Sequence, residues 1–211
     1  MRLLSSNFSP YATRVRIQIA KNNLPIEVCA PEPALRTPEF FAKYPLGKIP
    51  VLELDDGQCI TESWVIMEYL EQTTSGSNLS PSDAFAKAQM SMLGRYADLH
   101  LGPSLFPMFK ALLMKTDIDA EQEVNAIKAE LAKGEQLLKL QGDFQQRSLN
   151  LGDIALATTM YFTIATPKIY GCENILADFE TLSSWWAWVL KDEAVKQGID
   201  EMQAAFMAFG Q

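Results

Sequence analysis

At 211 residues with 48% hydrophobic side chains, the chain can bury one large or two small cores, and its longest apolar stretches fall far short of the ~18 residues of a membrane span. A net charge of −8 excludes general affinity for nucleic acid, where neutralisation of phosphates dominates. Cys29, Cys59 and Cys172 lack CxxC spacing and form no recognised ligand set with the one histidine, His100, so neither a disulfide framework nor a metal site is expected, and the start of the chain reads as that of a cytoplasmic protein without a secretory signal.

The chain opens on a short apolar strand, Met1–Leu4, followed by SSNFSPYATRVR. Ser is a favoured N-cap and Pro a favoured first helical residue, so Ser9-Pro10 predicts a helix whose N–H groups and positive dipole end face outward, a corner suited to an anion. RVRIQIA alternates like a strand, yet Tyr11, Val15 and Ile19 recur at helical spacing; the Ser-Pro start decides for helix. Arg2, Arg14, Arg16 and Lys21 precede the first acidic residue, Glu27, whereas residues 79–211 hold 17 acidic against 11 basic side chains. The N-terminal corner is therefore locally basic and attractive to a small anion, although each of these charges taken singly reads as a solvated helix charge.

Asn22-Asn23 ends this helix and Leu24–Ala30 reads as a second strand. Pro31, Pro33 and Pro38 mark a loop, with one short helical passage over Pro38–Lys43. A hairpin follows, Ile49–Leu54 and Gln58–Thr61 joined by Asp55-Asp56-Gly57. Ser63–Gln72 then reads as an amphipathic helix on the sheet. The composition of Thr73–Pro81 is that of a linker, which puts a domain boundary near residue 78.

Beyond it the pattern is helical: about Ser82–Leu101, Asp119–Leu140, Leu151–Thr166 and Asp178–Lys191, with shorter pieces afterwards. The strongest local signal is LNLGDI. Asn150 as N-cap and Asp153 three residues on can satisfy each other's backbone N–H groups, with Leu149 and Ile154 in the flanking apolar positions. Asp153 is therefore read as structural. Trp185, Trp186 and Trp188 read as packing anchors, and His100 as a polar surface or interface residue without a catalytic part.

SPYATRVR, GKIPVLELDDG, TESWVIMEYLE and LNLGDIALA, in this order, resemble cytosolic glutathione S-transferases across both halves of the chain. The resemblance implies a thioredoxin-like N-terminal domain over residues 1–78, an all-helical C-terminal domain over 79–211, and a homodimer. The start is similar to the serine-type, omega and zeta classes, with Ser9 where redox-active members carry cysteine. Ser9 and Ala12 stand where a CxxC pair would fall, which argues against dithiol chemistry.

Glutathione's thiol, with a pKa near that of free cysteine at ~8.5, is a poor nucleophile until ionised. The resemblance implies that Ser9 donates its hydroxyl to the thiolate and that the helix end lowers the thiol pKa, with Ser5, Ser6 and Asn7 as alternative donors. It further implies a cis bond at Ile49-Pro50, whose backbone would pair with the cysteinyl unit, and binding of the γ-glutamyl end by Glu62 and Ser63. Lys48 and Arg36 are candidates for the glycyl carboxylate by charge and neighbourhood. A hydrophobic electrophile would lie near Ser9, between the domains, against Tyr96, Phe106, Met108 and Phe206. Glutathione acts here as cosubstrate, with no cofactor. The competing readings are a non-catalytic binding protein similar to stringent starvation protein A, and a glutathione-dependent isomerase or dehalogenase.

Overall fold

Helix α1, Pro10–Lys21, starts where the Ser-Pro pair predicts it: Ser9 is extended (φ −90°, ψ 115°) and its Oγ accepts a hydrogen bond from Ala12 N at 3.2 Å. The computed structural model describes residues 1–209. Packing divides the chain into two units, Met1–Ser80 together with the helix that begins at Glu193, and Pro81–Asp192.

In the first unit, β1 (Arg2–Leu4), β2 (Glu27–Cys29), β3 (Val51–Glu53) and β4 (Cys59–Thr61) form a sheet in the order β2-β1-β3-β4. β1 runs parallel to β2 through the α1 crossover and antiparallel to β3, and the β3–β4 hairpin closes through the expected turn, with Gly57 at φ +86°. The strands expected over Leu24–Ala30 and Ile49–Leu54 are each pared to three residues. Helix α2 (Pro38–Lys43) is capped by Thr37, and α3 (Ser63–Thr73) follows the hairpin. Leu4, Phe40, Tyr44 and Val51 make a buried cluster over this sheet.

The strand-like alternation in α1 has a structural cause. Ala12, Thr13, Arg14, Val15, Ile17, Gln18 and Ile19 are all buried, because α1 packs against α3 and against α10 (Glu193–Phe209). A helix covered on several faces has no single apolar stripe, so its periodicity is blurred. The segment after Asp192 was expected to hold only short pieces; in the structure it carries this long helix, and α10 packs in the first unit.

Glu53 ends β3 almost fully buried and accepts hydrogen bonds from Lys43 Nζ at 2.6 Å, from the Tyr44 hydroxyl and from Arg2 Nε. Burial pushes its carboxyl up, but the bonds from Lys43, Tyr44 and Arg2 outweigh that and hold it at about 2.

In the second unit, α4 (Ala84–Tyr96) is capped by Asp83 and continues through a π-helical turn, Ala97–Leu101, into α5 (Gly102–Ser104). Helices α6 (Phe106–Met114), α7 (Ala120–Leu140), α8 (Leu151–Ile169) and α9 (Glu180–Val189) follow. No helix was expected between Leu101 and Asp119, where α6 lies. Pro107 lies in the first turn of α6, where a missing N–H costs nothing.

Helix α8 is buried along most of its length and packs on α4. A Cβ at Gly152 would lie 2.3 Å from the carbonyl oxygen of Met90, so only glycine lets the two backbones approach this closely. The Asn150–Asp153 capping box forms as expected, with bonds of 3.0 and 3.1 Å. Asp153, fully buried, also accepts from Arg147 Nη2 at 2.8 Å and from the indole N–H of Trp185 at 3.0 Å. Trp188 packs against Phe144 and lies under the Arg147 guanidinium.

Two outcomes follow from these charge sites. Removing one partner of a buried ion pair strands the other, so Asp153→Ala should lower the unfolding free energy by about 3–5 kcal/mol in a urea titration; a loss below ~1 kcal/mol would refute the network. Glu53 has a depressed pKa when folded, so its stabilisation is full above the unfolded value of ~4.3 and disappears as pH falls from there through about 2. The difference in urea midpoint between wild type and Glu53→Gln should therefore be largest near neutral pH and close in that acidic window, and a difference independent of pH would contradict it.

Candidate functional site

The sheet register gathers the candidate residues of the first unit. Leu4 pairs with Cys29 and with Val51, and Val51 pairs with Thr61, so the Ser5–Ser9 loop, the Ile49-Pro50 approach to β3 and the Glu62-Ser63 start of α3 all lie at one end of the sheet. The segment leading to Arg36 leaves β2 at the same end. The Ile49-Pro50 bond is cis, as the resemblance implies, and Glu32-Pro33 is cis as well.

Ser9 is half-buried at the N-terminus of α1, whose first turn carries no acidic residue. Its Oγ accepts from Ala12 N through a lone pair, so its own hydrogen keeps the freedom to donate. Ser5 is buried and its Oγ accepts from Arg16 Nη1 at 3.0 Å; Ser6 Oγ accepts from Phe8 N at 3.3 Å; Asn7 is exposed. Of the four candidate donors, Ser9 alone combines a hydroxyl with the end of the helix.

The start of α3 is a second receptive corner. Its first turn also lacks an acidic residue, and Glu62, at its N-cap position, makes no side-chain cap bond. Glu62 is exposed and holds φ +67°, a left-handed conformation that costs a non-glycine residue of order 1–3 kcal/mol and persists only where the surroundings enforce it. Ser63 is buried, with its Oγ 3.5 Å from Arg14 Nη1. Two helix N-termini at one sheet end, free of first-turn carboxylates, suit a ligand with more than one anionic group. Lys48 is exposed; Arg36 is exposed and also adopts a positive φ, +65°.

The reading of Arg14 and Arg16 as solvated helix charges is corrected. Arg14 is fully buried, with its guanidinium over the Tyr11 ring, and the Arg16 side chain is only 10% exposed. Arg16 donates to Ser5 Oγ, to the Ser6 carbonyl, to Thr13 Oγ1 and to Glu201 Oε2 at 3.0–3.1 Å. Burial pushes its guanidinium down, against the pull of Glu201. The partners of Arg16 come from a loop and from a helix 185 residues away, which no local pattern links.

The family model for the glutathione S-transferase N-terminal domain matches residues 3–78, the whole of this site apart from α10. Glutathione S-transferase omega-2 of Mus musculus is 27% identical over 202 residues, spanning 92% of this chain and 77% of that protein. A glutathione S-transferase of Pseudomonas putida is 27% identical over 183 residues, or 85% and 82% of the two chains. A crystal structure of a glutathione S-transferase from Methylobacillus flagellatus, with glutathione bound, superposes with a TM-score of 0.72 at 28% identity over 93% of this chain and 98% of its own. The chain is thus similar to glutathione S-transferases along most of its length, and its residues 3–78 match their N-terminal domain. The alignment to the human omega-2 protein, 33% identical, is confined to 93 residues, 44% of this chain and 38% of that protein.

Within this chain, the four residues expected around an electrophile are divided. Phe206 belongs to the first unit, where its ring lies 6.2 Å from that of Phe8. Tyr96, Phe106 and Met108 belong to the second. Met108 is completely buried, so it is a core residue and lines no open surface. Tyr96 is buried too, its hydroxyl donating to the Glu130 carbonyl at 2.8 Å, and burial holds its pKa above the ordinary phenol range. Phe106 is exposed. His100 lies exposed over the Tyr96 ring, 4.0 Å from Glu130.

Proposed function

We propose that this protein binds glutathione at the sheet end defined by Ser9, Pro50 and Ser63, and transfers it as a thiolate to a small hydrophobic electrophile. The observation that carries this reading is the state of Ser9: its oxygen is engaged as a helix cap while its hydrogen remains available to a sulfur anion at the positive end of α1. Hydrogen bonding to the charged form lowers a thiol's pKa, and the helix end adds positive potential. Ser9 is thus a stabiliser of the nucleophile and forms no covalent bond.

The rest of the tripeptide follows from the same corner. Ser63 at the start of α3 would hold the γ-glutamyl carboxylate, and exposed Glu62 would meet its ammonium group. The backbone of Ile49 would pair with the cysteinyl unit, while Lys48 and Arg36 are the cations offered to the glycyl carboxylate. Glutathione is the cosubstrate and no cofactor enters the scheme. The glutathione carried by the Methylobacillus flagellatus structure supports the ligand.

A homodimer is part of this reading, and an open groove of about 480 Å³ on the second unit, lined by Tyr96, His100, Ala132, Lys133, Gln136, Leu137 and Leu140, is an exposed face available to a second copy. The same thiolate would serve isomerase or dehalogenase chemistry if the electrophile were of that kind. Cytoplasmic residence is part of this reading, and among the described residues no helix is long and apolar enough to cross a membrane.

Three substitutions separate the two tasks of Ser9. Ser9→Ala loses the cap and the donor, Ser9→Gly keeps most of the cap stability and loses only the donor, and Ser9→Thr keeps both. A hydrogen bond to a charged group contributes about 1.5–3 kcal/mol, so the bound thiol should titrate about 1–2 pH units higher in both the Ala and Gly variants, with turnover of an aryl halide near neutral pH falling about 10- to 100-fold. Retention on immobilised glutathione with unchanged turnover in Ser9→Gly would remove Ser9 from the chemistry. Absence of both retention and turnover in the wild type would favour a binding protein of the stringent starvation protein A kind.

A further inference from the structure

The loop that presents Ser9 is gripped from outside the N-terminal segment. Arg16 Nη1 donates to Ser5 Oγ at 3.0 Å and to the Ser6 carbonyl at 3.1 Å, while Nη2 donates to Thr13 Oγ1 at 3.1 Å and to Glu201 Oε2 at 3.0 Å. One planar, always-charged fork therefore joins both ends of the loop's first turn to α1 and to α10. Helix α10 holds the same loop a second time, since the Phe8 ring lies 6.2 Å from Phe206 and 5.0 Å from Phe209. Contact at this range depends on Gly198, where a Cβ would fall 2.6 Å from Ile17 Cγ1 and 3.2 Å from Thr13 Cγ2. A side chain there would wedge α10 away from α1 and draw Glu201 off Arg16.

We infer that Arg16 is a positioning residue for Ser9, and that Glu201 on the last helix sets it. The proposal rests on the glutathione thiolate reading above. Neither side chain touches the reacting sulfur; they act by fixing the backbone of Ser5 and Ser6, from which the chain runs directly to Ser9, whose N–H bonds back to the Ser6 carbonyl at 3.1 Å. The Ser6 carbonyl is thus the shared joint, accepting from Arg16 on one side and from Ser9 N on the other. Without Glu201, Arg16 loses the carboxylate that orients its fork, and the loop gains freedom where a donor must be held against a sulfur anion. A displacement of about 1 Å at a reacting group costs up to ~100-fold in rate, so partial loosening of this joint has a measurable effect.

The test uses the full-length protein and reads the ultraviolet absorbance of the bound thiolate against pH, beside kcat and KM for glutathione with an aryl halide. Glu201→Gln keeps an acceptor oxygen and removes the charge; Glu201→Ala removes both; Arg16→Lys keeps a charge without the fork. The expected order is a kcat loss of about 3-fold in Glu201→Gln and about 10-fold in Glu201→Ala and Arg16→Lys, with the bound thiol titrating progressively higher and KM for glutathione changed less than twofold, because the tripeptide's ends are held at α3 and beyond. A merely structural part for these residues would lower the unfolding midpoint and leave the thiol titration where it is in the wild type. If the wild type lowers the thiol pKa and folded Glu201→Ala titrates identically, the inference is overturned and the Ser9 reading stands. If the wild type does not lower the thiol pKa at all, both fall together. Should Arg16→Lys not fold, the two Glu201 variants carry the same comparison from a residue less enclosed than Arg16.

Discussion

Enclosure of α1 is the constraint on which the first unit depends. The helix has α3 on one side and α10 on another, and most of its middle residues are buried. Three of its long polar side chains, Arg14, Arg16 and Gln18, cannot reach bulk water freely and must find partners within the protein. Gln18 Nε2 donates to the Met67 carbonyl at 3.0 Å, Arg14 reaches Ser63, and Arg16 reaches the Ser5–Ser6 loop and Glu201. Gln18 and Arg14 tie α1 to α3 while Arg16 ties it to the Ser5–Ser6 loop and to α10, and two of these bonds end on residues of the candidate glutathione site. Desolvating the helix and building the site are therefore one operation.

The sheet contributes register more than area. Its strands are only three residues long, yet the pairing of Leu4 with Val51 and of Val51 with Thr61 brings three loops to one edge. At the opposite end of β3, Glu53 draws in Arg2, Lys43 and Tyr44. That cluster anchors the strand ends by charge where three residues of ladder offer few hydrogen bonds. The second unit uses the same device around Asp153, a buried carboxylate whose oxygens are shared among a helix cap, an arginine and an indole. Buried charge is tolerated in both places because each carboxylate oxygen has at least one donor and each group faces an arginine or lysine.

The likeness to glutathione S-transferases reaches both units, and the thiolate chemistry proposed at Ser9 builds on that likeness. The family model covers the residues that make the sheet end, while likeness to the Mus musculus and Pseudomonas putida proteins, over 92% and 85% of this chain, extends into the helical unit. The electrophile side is carried less far by either route. Met108 and Tyr96 illustrate why: apolar and aromatic side chains at helical spacing have the same appearance in sequence whether they fill a core or line a pocket.

Much of the fold was legible because its signals are local. Ser9-Pro10, the Asp-Gly turn before β4, the linker after α3 and the Asn150–Asp153 box each depend on residues within a few positions of one another, and steric and hydrogen-bonding preferences at that range survive in any context. Helix α6 is nine residues long with a proline in its first turn, too short for its apolar periodicity to stand out. Helix α10 and the burial of Arg14 and Arg16 belong to a different class. An arginine on a helix is solvated or enclosed according to what packs over it, and here the covering element lies at the far end of the chain. Sequence determined where α1 begins and what caps it; only tertiary packing decided which of its charges are buried and which loop they hold, because that outcome belongs to pairs of segments brought together by folding.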